Sequence, residues 1–138
     1  MTLRALRDFS SRVSRGLHLG RRYFDVTLVD DAAIAILNRD FRAKAAPTDV
    51  LSFPWQGGPG FPARFGDFDD FLGDIVISLD TAQRQATAER HSLRTEIEQL
   101  VLHGALHLLG YDHETDRGQM NVLELRLRRK LGIEGRHT

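Results

Sequence analysis

Three of the chain's six histidines fall in one stretch, His103-Gly-Ala-Leu-His-Leu-Leu-Gly-Tyr-Asp-His113. His103 and His107 are four apart, which on a helix puts them on one face a turn from each other. Gly110 can take the left-handed conformation that ends a helix and turns the chain back, bringing His113 round toward the other two. Three converging imidazoles fit a zinc ion whose fourth position stays open, an arrangement suited to catalysis rather than to structure. Nickel and copper would bind the same donors, so availability decides the native metal. A zinc-bound water has a pKa lowered to ~7, which makes hydrolysis the default chemistry. The spacing also matches the histidine frame of metzincin proteases, but Gly104 stands where those enzymes carry a general-base glutamate. Asp112 and Glu114 flank the third histidine, and either could orient an imidazole by accepting its other N–H. Tyr111 reads as packing over the motif.

These residues need a scaffold. Leu3, Leu6, Phe9, Val13 and Leu17 mark a helical face from Thr2 to about Leu17. Tyr23 to Val29 is β-branched and aromatic and reads as a strand. Asp30 and Asp31 offer an N-cap for a helix from Ala32 to about Phe41, with Ile34, Leu37 and Phe41 as its apolar face. Asp49 to Phe53 is a short strand ended by Pro54. Residues 56–70 form a glycine- and proline-rich loop, too long for a simple hairpin turn. Leu72 to Ser78 is a strand apolar enough to be buried on both faces. A helix from Leu79 to about Arg90 follows, capped by Ser78 or Asp80. Ser92 to Leu109 is the longest apolar-periodic helix, with Ile97, Leu100, Val101, Ala105 and Leu108 on its buried side. Asp116 to Leu131 is a last amphipathic helix, with Met120, Leu123, Leu127 and Leu131 facing the core. The expectation is one α+β domain over residues 1–138: a small mixed sheet of three to four strands packed with about five helices.

Composition narrows the choice further. There is no cysteine, which removes disulfides and thiolate metal sites. No apolar run reaches ~18 residues, so no membrane span is expected. The formal net charge is zero but unevenly spread. Arg4, Arg7, Arg12, Arg15, Arg21 and Arg22 cluster early, and Arg126, Arg128, Arg129 and Lys130 late. Such faces permit a polyanion partner, although a solvated helix face is the plainer reading. The arginine-rich start imitates a transit peptide, yet its helical periodicity marks it as the first helix of the domain.

Beyond the histidine stretch, two more segments carry a family likeness. HGALHLLGYDH is similar to the signature of the YbeY family, the bacterial zinc-dependent endoribonucleases of ribosomal RNA maturation. Asn38-Arg-Asp-Phe-Arg42 with Pro47-Thr-Asp-Val-Leu-Ser-Phe-Pro54 resembles the family's LNxxYRxKDxPTDVLSFPF segment. Leu72-Gly-Asp-Ile-Val-Ile-Ser78 resembles its GDIVIS strand. The resemblance implies His103, His107 and His113 as ligands of one Zn2+ per chain, with His103 essential to catalysis. It also implies a functional Arg42, whose guanidinium could clamp two phosphate oxygens. Family members usually begin with a short strand before the first helix. Here Met1 leads almost directly into the helix, so one edge strand of the sheet is expected to be missing. Ala45-Ala46 stands where the family commonly has Lys-Asp.

The function implied is a cytoplasmic, single-strand-specific metal-dependent endoribonuclease of rRNA processing and ribosome biogenesis. Its partners would be single-stranded RNA and the ribosome or ribosomal proteins, with no membrane. Phe53, Trp55, Phe61 and Phe65 could stack bases, though packing is their plainer role. A metallopeptidase or amidase, weakened by Gly104, is one alternative. A non-catalytic, zinc-stabilised ribosome-assembly factor is the other.

Overall fold

A computed structural model of the chain describes residues 1–55, 70–112 and 116–133. Helices α1 (Leu3–Gly16), α2 (Asp31–Arg42), α3 (Leu79–Glu89), α4 (Leu93–Leu108) and α5 (Gln119–Leu131) surround strands β1 (Tyr23–Val29), β2 (Val50–Pro54) and β3 (Phe71–Ser78). The strand order is β1-β3-β2. β1 runs parallel to β3, with Val26 opposite Ile75, and β2 runs antiparallel to it, with Ser52 opposite Ile75. The expected α+β architecture is therefore present, with three strands and five helices among the described residues. β1 forms one edge of that sheet.

Helix starts follow side-chain chemistry. Thr2, Asp30, Ser78 and Ser92 each accept a hydrogen bond from the backbone N–H three residues on, satisfying a donor the helix cannot. α5 begins three residues later than the apolar periodicity suggests. Asp116 stays outside the helix and accepts from the backbone N–H groups of Gly118 (2.8 Å) and Met120 (2.9 Å). Gly118, at φ 94°, supplies the left-handed turn this needs.

The central strand divides the core. Ile75 and Ile77 point into the larger cluster with Phe9, Val13, Val101, Leu102, Leu106 and Met120. Val76 points the other way and packs with Ile34 and Leu51 beneath α2. This is the two-sided burial expected of its apolar run. α4 lies on the first face and is in turn covered by α1, α3 and α5. It is consequently buried beyond the single side expected: Leu102 and Leu106 join Ile97, Val101 and Ala105 in the core. Phe41 departs from expectation. It is 67% exposed, with its ring edge-on to Phe53 at 4.8 Å rather than in the core. No helix among the described residues is long and apolar enough to cross a membrane.

One polar knot ties the start of α2 to that of α3. Asp31 Oδ1 accepts from Ser78 Oγ (2.6 Å) and Thr81 Oγ1 (2.7 Å), and Oδ2 accepts from Arg84 Nη2 (2.8 Å). The Ser78 hydroxyl, then Thr81, then Arg84 hold the Asp31 carboxyl down to about 2. A depressed carboxylate contributes stability that is fully present above its unfolded pKa and lost as pH falls through the folded one. Asp31→Asn should therefore lower the melting temperature at neutral pH. The gap to wild type should close as pH falls from 3.8 toward about 2, measured by thermal unfolding across that range.

A candidate metal centre

The site begins with the geometry of α4. His103 and His107 lie one turn apart near its C-terminal end, and their rings meet edge-on with centroids 4.6 Å apart. Their Nε2 atoms are 3.1 Å from each other. α4 ends at Leu108, and Gly110 at φ 99° turns the chain back, as the sequence predicts for that glycine.

Both histidines open onto a cleft of about 410 Å³. β2 and the approach to it, Thr48 to Ser52, line it together with Arg42 and Asp112. Arg42, His103, His107 and Asp112, each singled out in the sequence, are thus brought to one place. His113, Glu114, Phe61 and Phe65 lie outside the described residues. Phe53 and Trp55 pack on protein rings: Phe53 against Phe41, and Trp55 against Phe71 at 6.0 Å.

Local structure explains how Arg42 reaches the cleft. It is the last residue of α2, which ends on Ala43 in the left-handed conformation. Asn38, only 3% exposed, then fastens the loop: its Nδ2 donates to the Ala46 carbonyl at 2.8 Å, and its backbone carbonyl accepts from Lys44 N–H at 3.3 Å. The loop so held delivers the chain to Asp49 and β2. Asp49 Oδ1 accepts from the Val50 N–H at 2.8 Å. With the Gln85 amide nitrogen facing its carboxylate neighbours, Gln85 donates to Asp49 Oδ2 (3.3 Å) and to Glu96 Oε2 (2.8 Å).

Glu124 is a site residue the sequence reading did not single out. Its Oε1 lies 2.7 Å from His103 Nδ1. The signal was available: Glu124 is a carboxylate beside the buried stripe Met120, Leu127 and Leu131, where a charge needs a partner.

The donors fit a zinc ion. Two ligand nitrogens on a tetrahedral zinc at ordinary Zn–N distances stand roughly 3.3 Å apart, close to the separation of the two Nε2 atoms. Among the described residues these two histidines do not form a three-ligand group, and the expected third ligand, His113, lies outside them.

A family model described as Endoribonuclease YbeY matches residues 6–132. The chain belongs to the YbeY family. A relative named Endoribonuclease YbeY from Solibacter usitatus is 48% identical over 129 residues, covering 94% of this chain and 79% of the relative. Another of that name from Nautilia profundicola is 49% identical over 109 residues, covering 79% and 72%. The fold is similar to the solution structure of TM1509 from Thermotoga maritima, with a TM-score of 0.59 and 25% identity. That match covers 91% of this chain and 82% of the other.

Gly104, between the histidines, is set by packing. A Cβ there would lie 2.7 Å from Ile75 Cγ2, a branched atom with no freedom to swing away. Alanine would gain ~1 kcal/mol in helix propensity, but overpacking a filled core costs about 1–3 kcal/mol. The clash wins, because Ile75 is fully buried. Gly104→Ala should therefore lower stability in urea unfolding by up to about 2 kcal/mol net. Combining it with Ile75→Ala should cost less than the two singles together, a coupling that a double-mutant cycle measures.

Proposed function

We propose that the protein is a zinc-dependent, single-strand-specific endoribonuclease of ribosomal RNA maturation. The observation that carries this reading is the meeting of His103, His107 and Arg42 in one cleft, in a chain of the YbeY endoribonuclease family. His103, His107 and His113 would hold the zinc. Bound there, zinc supplies Lewis acidity to the scissile phosphate and eases deprotonation of the attacking oxygen.

The chain's own residues do the rest. Arg42, exposed at the cleft mouth, offers a planar fork that matches two phosphate oxygens and counters charge that develops on them. Among the described residues Asp49 and Asp112 are the carboxylates lining the cleft, and they are the candidates for proton transfer since position 104 carries no side chain. Single strands suit a concave cleft, since a lone phosphodiester can enter it without a duplex behind. The setting would be the cytoplasm, with the ribosome or ribosomal proteins as partners. The basic residues of α1 and α5 support a polyanion partner.

A peptidase or amidase working through a glutamate at 104 is disfavoured by the same contact that excludes even a methyl group there. A purely structural zinc in a non-catalytic assembly factor is the remaining alternative.

Cleavage of a labelled single-stranded RNA, with metal content measured alongside, separates these readings. His103→Ala should lose zinc and cleavage while remaining folded and binding RNA. Arg42→Ala should keep its zinc and lose about 10²–10³-fold in rate, as when one preorganised donor to developing charge is removed. Full cleavage by metal-free His103→Ala would sink the enzyme reading. The product ends report the attacking group: a 2′,3′-cyclic phosphate means attack by the RNA 2′-hydroxyl rather than by water.

A further inference from the structure

We infer that Glu124 is the positioning residue for His103, fixing the proton on Nδ1 so that the Nε2 lone pair faces His107 and the cleft. The metal-affinity part of this rests on the zinc reading above; the tautomer part does not.

The argument starts from burial. Glu124 is 5% exposed, on the side of α5 that carries Met120 and Leu127 into the core. A buried carboxylate is strongly destabilising unless it is paired and hydrogen-bonded. Its Oε1 meets His103 Nδ1 at 2.7 Å, a length typical of a charge-assisted bond. Its Oε2 lies 3.6 Å from Arg128 Nη2, one turn further along the same helix. The carboxylate is thus held from behind and aimed at one imidazole nitrogen.

The consequence for the ring is specific. An ionised carboxylate only accepts hydrogen bonds, so Nδ1 must carry the proton. In the neutral imidazole, Nε2 then holds a lone pair. That nitrogen stands 3.1 Å from His107 Nε2, so the two point to a common place. Without Glu124 the ring could exchange tautomers, and the proton would sit part of the time on the nitrogen needed for the metal. The residue also joins elements: α5 is linked through it to the catalytic end of α4, 21 positions away in the chain.

Three measurements test this. In metal-free wild-type protein, imidazole ¹⁵N shifts in mildly alkaline buffer should show His103 as the Nδ1–H tautomer. In Glu124→Gln, whose amide can donate as well as accept, His103 should become a mixture of tautomers. Zinc affinity, measured by competition with a chelating dye, should fall about 10–100-fold, as for other partners behind metal ligands. Leu127→Ala, which loosens the same helix without touching His103, should leave tautomer and affinity as in wild type. An Nε2–H tautomer in wild type overturns the inference. So does wild-type zinc affinity in Glu124→Gln, or an equal loss of affinity in Leu127→Ala. If Glu124→Gln does not fold, the wild-type tautomer decides. If wild type takes up no zinc, the zinc reading fails and the tautomer alone decides the role of Glu124.

Discussion

The site depends on how closely α4 can lie on β3. With no side chain at Gly104, the helix rests directly on Ile75, nearer than any Cβ would allow. That approach lets Ser52 on β2 donate from its hydroxyl to the Gly104 carbonyl at 3.2 Å. A glycine inside a helix costs about 1 kcal/mol relative to alanine, so its place here reflects geometry, not propensity. A turn of helix bearing two histidines is thereby set against a strand, with the cleft between them. The same contact explains why no catalytic carboxylate stands between the histidines: there is no volume for one.

Around this apolar contact, polar pairs decide how α4 is oriented. Glu96, 6% exposed, lies 2.6 Å from His91 Nε2 and receives the Gln85 amide. Glu124 does the corresponding task near the other end, from α5. Apolar packing is tolerant of small rotations, whereas a hydrogen bond fails beyond a few tenths of an ångström. Two buried carboxylates, Glu96 on α4 bonded to Gln85 of α3 and Glu124 of α5 bonded to His103 of α4, therefore restrict its rotation more tightly than the hydrophobic core alone. Rigid placement of this kind is what a metal site needs, since its ligands must be held to within about half an ångström.

Local rules made most of the scaffold legible. Capping residues and apolar periods located all five helices, and the β-branched runs located all three described strands to within a residue or two. The start of α5 was misplaced because Asp116 caps from outside, through a glycine turn that periodicity cannot register. Phe41 falls on the apolar side of α2 in a helical wheel, yet in the last turn of the helix its ring meets Phe53 of β2 edge-on and stays 67% exposed. At the site, His103, His107, Arg42 and Asp112 were visible as residue types in motifs. Glu124 was legible only in part: its spacing from Met120 puts it on the buried stripe of α5, but its partner is 21 positions away in the chain. Asn38 was hidden: its value lies in a loop bond that exists only once the loop is folded.

Charge in the cleft gives the proposed metal a second role. Among the described lining residues, Arg42 brings one positive charge and Asp49 and Asp112 bring two negative ones. Such a cleft repels a phosphodiester, and Arg42 alone does not reverse the sign. A dication held by the histidines would. In a partly enclosed site the effective dielectric is well below that of water, so a change of two charges is worth several kcal/mol at contact distances. In this reading the metal draws the scissile phosphate into the cleft before any chemistry begins, while RNA contacts outside the cleft persist without it. Arg42 then acts as an orienting fork rather than the main source of attraction. Substrate binding and metal occupancy are in consequence linked through electrostatics, with the carboxylates setting how strong that link is.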